Sequence, residues 1–143
     1  MHFKHYMSES LQDTTGSAID IEIVQFILES FNLATQAHIY HLVTKSYAEH
    51  IAIGDFYEGL RSCVDTISES SIGLGLSIQN SLYHSELSFT YNKEEFISKL
   101  KNYRTTVSNL IQETNKNSIM SINDNFISVQ QLIDTLLYKL QLS

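Results

Sequence analysis

Four side chains in the first half of this chain are of the kinds that hold a transition metal: His38, His50, Asp65 and Glu69. Imidazole nitrogen and carboxylate oxygen together suit iron, manganese or zinc. Asp65 and Glu69 are four positions apart, so a helix places them one turn apart on a single face, the way helical bundles present paired carboxylates to a metal. His41 lies one turn from His38 and is either an added ligand or a partner in a surface or interhelical hydrogen bond. The lone Cys63 cannot make an internal disulfide, and inside a helical pattern it reads as a small buried apolar residue. No Glu-x-x-His occurs in the sequence, so a two-metal site built within one bundle from such pairs is not expected. Catalytic-triad signatures, phosphate-cradling glycine loops and cysteine metal clusters are absent as well, and His84 and Glu86 receive no role.

The elements that must position these residues are long helices. The chain has no Pro and only 5 Gly in 143 residues, so few breakers interrupt its periodic stretches. Residues 1–16 lack periodicity and are expected to form a flexible N-terminal arm, with the folded domain over 17–143. Ser17 to Asp20 nearly form a capping box and predict the start of a first helix. Its apolar face is expected to run through Ile23, Ile27, Phe31, Ala34 and His38. After a break at Thr44-Lys45-Ser46, a second helix is predicted from Tyr47 to Ile72, with Ile53, Tyr57, Leu60, Val64 and Ile67 inward and a stop at Gly73-Leu74-Gly75.

Leu76 to Tyr91 reads as a connection holding one short helix. Asn92 caps a third helix striped by Phe96, Leu100, Tyr103, Val107, Leu110 and Ile111, ending near Asn117. A fourth begins near Ser118 and buries Ile122, Phe126, Val129, Ile133, Leu136, Leu137 and Leu140. Gly54 and Gly59, each costing about 1 kcal/mol within a helix, point to close approach of a neighbouring helix.

Composition bounds the function classes. Hydrophobic residues make up 43% of the chain, with 8 Tyr and 7 Phe, enough for one packed core. A net charge of -7, without any Lys/Arg cluster, argues against a nucleic-acid partner. The opening Met1-His2-Phe3-Lys4-His5-Tyr6 lacks the apolar run of a signal peptide, and no stretch of about eighteen apolar residues reads as a membrane span. A soluble, cytoplasmic protein is expected. Abundant Ser, Ile, Asn and Lys suit an AT-rich genome, which fits a viral source.

The segment from His50 through Asp55-Phe56-Tyr57, Leu60 and Asp65-Thr66-Ile67-Ser68-Glu69 resembles the second helix of the Dps-type mini-ferritins. That family has the form H-x-x-F-D-x-x-Y-x-x-L-x-x-x-x-D-x-I-A-E, and Tyr57, Leu60, Asp65, Ile67 and Glu69 fall in register with it. His38, twelve positions before His50, stands where the family has a His late in the first helix. The resemblance covers the end of the first helix and all of the second. It implies an all-α, ferritin-like four-helix bundle. It also implies a metal site at His38, His50, Asp65 and Glu69 shared between two subunits, iron as the metal, iron oxidation and storage as the activity, and self-association from a dimer up to a dodecamer. The chain departs from the pattern at Gly54, where the family has an Asp; Asp55 comes one residue later, about 100° round the helix. Ile39 replaces the family's Trp, and the Lys-rich tail of DNA-binding members is missing. The alternative expectation is a ferritin-like bundle without the chemistry, acting as a structural or interaction protein.

Overall fold

The computed structural model describes residues 14–78 and 92–143, with side chains from Ile19 onward. These form an all-α four-helix bundle of α1 (Thr14–Val43), α2 (Tyr47–Gly73), α3 (Lys93–Lys116) and α4 (Met120–Gln141), and no strand occurs among the described residues. None of these helices is long and apolar enough to cross a membrane. Residues 1–13 of the expected arm, and the short helix expected within 76–91 beyond Ile78, lie outside the described residues, as do His84 and Glu86.

Helix α1 packs on α2, α2 on α4 and α4 on α3, while α1 and α3 meet more loosely. The start of α3 lies against the start of α2 and the second residue beyond α4: Lys93 Nζ is 2.8 Å from Glu49 Oε1 and donates to the Ser143 carbonyl at 3.1 Å. Helices α2 and α3 therefore run parallel on opposite corners of the bundle. The chain leaves α2 at one end and enters α3 at the other, a topology with one long crossover.

The core follows the expected periodicity in three helices. Ile53, Leu60, Val64 and Ile67 of α2, Phe96, Leu100, Tyr103, Val107 and Leu110 of α3, and Ile122, Phe126, Val129, Ile133, Leu136 and Leu140 of α4 are all buried. Phe26 stacks on Tyr103 at 5.7 Å and meets Phe126 edge-on at 4.9 Å, joining α1, α3 and α4 through one aromatic layer. Burial pushes the Tyr103 phenol strongly up, so it stays protonated, and its hydroxyl shares a 2.5 Å hydrogen bond with Ser30 Oγ. Gly59 admits Leu132 of α4, whose Cδ2 would lie 3.0 Å from an added Cβ.

Two expectations are corrected and a third, the glycine stop of α2, is met. Helix α1 is already formed at Thr14, so Ser17 to Asp20 lie within it rather than at its cap; Gly16 is carried inside the helix at the modest cost of an interior glycine. Ile23, Ile27 and Ala34 of the expected face are buried, but Phe31 and His38 point away from the core, which takes Phe26, Ser30, Leu33, Ala37 and Tyr40 of α1 as well. Helix α1 carries apolar residues on two sides, and the sequence pattern merges them. At the end of α2 the left-handed residue is Gly75 (φ 104°), with Leu76 N–H bonding Ser71 O and Gly75 N–H bonding Ile72 O, the Schellman arrangement.

Candidate functional site

The turn between α1 and α2 is short and capped locally. Ser46 Oγ accepts the Glu49 amide at 3.3 Å, the standard N-cap bond, and this starts α2 immediately after Thr44-Lys45-Ser46. So tight a hairpin sets the last turn of α1 against the first two turns of α2, and the histidines meet there. His41 and His50 stack with ring centroids 3.7 Å apart and 21° between planes. Each Nδ1 faces the other residue's backbone carbonyl, His41 Nδ1 to His50 O at 2.6 Å and His50 Nδ1 to His41 O at 2.8 Å. A carbonyl can only accept, so both rings carry hydrogen on Nδ1 and turn Nε2 away from this contact.

The pair exists because of Gly54. A Cβ there would stand 3.1 Å from both Cε1 and Nδ1 of His41, so the glycine provides the space that the ring fills. The position where the Dps pattern has a carboxylate is thus covered by an imidazole of α1. His38 is exposed; its ring lies flat on Tyr57 at 4.4 Å and meets His41 edge-on at 6.0 Å.

Asp65 and Glu69 are exposed on α2, one turn apart as expected. Asp65 is 15 positions beyond His50, which at 1.5 Å per residue puts it about 22 Å along the helix. Within one chain, then, His38 and His50 join through His41, and the two carboxylates stand far from them. Among the described residues no group of three or more His, Cys, Asp or Glu is placed to share a metal ion. Within one chain the four expected ligands do not converge on one point.

Beneath the histidines is a site that the ligand pattern missed. Glu49 is only 3% exposed, yet its carboxylate accepts from Thr44 Oγ1 at 2.7 Å and from Ser143 Oγ at 3.1 Å and pairs with Lys93 at 2.8 Å. One buried carboxylate thereby ties the α1–α2 turn to the start of α3 and to Ser143 beyond α4. Its sequence signal is the capping-box spacing Ser46-x-x-Glu49. Cys63 is half-buried against the core, and burial pushes its thiol up, which suits a packing role over a nucleophilic one.

The outward side of α1 exposes Ile21, Phe31 and Leu42 with Thr35 and His38 between them, in a second seam at spacings of three and four whose other members, Val24 and Leu28, are buried in the core or packed against it. Ile21 is 55% exposed, Phe31 40% and Leu42 68%, and Tyr47, just past the turn, is 79% exposed. Thr35 and His38 touch Arg61 and Tyr57, so the seam borders α2.

No curated protein and no solved structure matches the chain. A family model matches residues 41–140, from the paired histidine of α1 through nearly all of α4. That match spans most of the chain, which belongs to DUF5856, a family of unknown function.

Proposed function

We propose that the protein is a helical-bundle interaction protein that self-associates through the outer face of α1 and α2. The observation that carries this reading is the second apolar seam of α1. A helix apolar on two sides buries both in a stable assembly, and an exposed stripe of this length marks an interaction surface. A heptad-like seam is matched best by another helix of the same spacing. Charge favours a second, antiparallel copy as the occupant: Lys45 stands at the turn end of the face, Glu22, Asp65 and Glu69 stand toward the other end, and Glu58 lies between. Light scattering should give at least a dimer, and Phe31→Glu combined with Leu42→Glu should give a monomer with unchanged helix content. A monomeric wild-type protein at tens of micromolar would reject the reading.

A second reading, a Dps-like protein that binds, oxidises and stores iron, is supported by the same antiparallel placement, which would set His38 of one copy near Asp65 and Glu69 of the next. It requires a large iron-loaded shell and loss of iron oxidation in His50→Ala. Metal analysis of the particle used for light scattering separates the two readings.

A further inference from the structure

The loose contact between α1 and α3 leaves a groove of about 220 Å³ on the side of α1 away from the self-association face. Leu33 and the Tyr103 ring form its floor; Glu29, Asn32 and Gln36 of α1 and Lys99 and Asn102 of α3 form its walls. The Tyr103 hydroxyl is engaged by Ser30, so the polar groups open to a guest are those of the walls. At one end, Lys99 donates to Gln36 Oε1 at 3.2 Å and lies 3.6 Å from Glu95 in a solvent-exposed pair, which leaves its ammonium with donor capacity. Seven positions earlier on α1, about 10 Å down the helix, the half-buried Glu29 carboxylate makes no hydrogen bond or ion pair among the described residues. Burial pushes that carboxyl up, as expected for an acid partly desolvated with no cation beside it.

We infer that this groove binds a small zwitterion, with its ammonium on Glu29 and its carboxylate on Lys99, its apolar body lying over Leu33 and the Tyr103 ring between them. The spacing calls for charges several bonds apart, as in an ω-amino carboxylate. The volume lies below the roughly 300–1,000 Å³ of sites for drug-sized ligands, so the guest is small. A dication would be repelled by Lys99 and a dianion by Glu29.

The test is the melting temperature of the full chain with ε-aminocaproate, using caproate and hexylamine as single-charge controls. A tenfold excess over Kd should raise the midpoint by about 4 °C. Glu29→Gln and Lys99→Gln, both near the surface and checked for folding by circular dichroism, should each remove the rise. The Phe31→Glu, Leu42→Glu variant should keep it, which separates this site from the self-association face. Absence of a rise at tens of millimolar, an equal rise with either control, or a rise retained in Glu29→Gln would overturn the inference.

Discussion

Two three-residue turns close the helical hairpins at opposite ends of the bundle, and they are built in different ways. Between α3 and α4 the backbone makes most of the closure. Ile119 N–H bonds Thr114 O at 2.9 Å and Ser118 N–H bonds Asn115 O at 3.1 Å, with Ser118 in the left-handed region at φ 58°. The Asn123 amide then seals the corner, donating to Ile111 O at 2.7 Å and to Thr114 Oγ1 at 2.9 Å. Between α1 and α2 the closure is made by side chains: the Ser46 cap, the buried Glu49 with Lys93, and the stacked His41 and His50. A turn closed by backbone geometry tolerates many sequences. One closed by buried ionisable groups is tied to particular residues, and it is the end where the candidate chemistry lies.

The largest effect that would sharpen this contrast is Glu49→Ala. Removing the buried carboxylate loses its hydrogen bonds from Thr44 and Ser143 and its pair with the part-exposed Lys93, which should cost about 2 kcal/mol, read from urea unfolding. A loss under about 0.5 kcal/mol would mean that the turn is held by its cap alone, a contribution of the size of an exposed pair. Next comes Gly54→Ala. An interior helix gains about 1 kcal/mol from this exchange, but the new methyl displaces the His41 ring, so the wild-type background should lose stability. In a His41→Ala background the same change should stabilise by about 1 kcal/mol, and the difference is the coupling between position 54 and the His41 ring. Additive effects would show that Gly54 does not make room for the ring. The smallest expected effect is at the other turn. Ser118→Gly relieves a positive φ in a residue that carries a Cβ and should raise stability by about 0.5–1 kcal/mol. A loss there would show that the Ser118 side chain, and not only the backbone, holds that corner.

Much of the bundle is legible in the sequence. Tyr47 to Gly73 and Lys93 to Lys116 begin within a residue of the expected starts because Ser46 and Asn92 are effective caps, whose oxygens accept the amides of Glu49 and Glu95. Strictly amphipathic helices such as α3 and α4 also declare their inner face. Helix α1 does not, because spacings of three and four connect its two apolar seams equally well, and the pattern puts Phe31 and His38 on the wrong one. The site is legible only in part. Asp65 and Glu69 share a face as their spacing requires, whereas the partner of His50 is His41, a contact that depends on Gly54 leaving room.

Taken alone, the sequence determined where α2 and α3 begin and end and which residues of α2, α3 and α4 turn inward, because caps and periodicity act over one to three turns of chain. The tertiary structure decided the order of helices around the bundle, the burial of Glu49 against Lys93, the stacking of His41 on His50 and the groove between α1 and α3. Each of these depends on the distance and angle between segments remote in sequence, which no local pattern encodes.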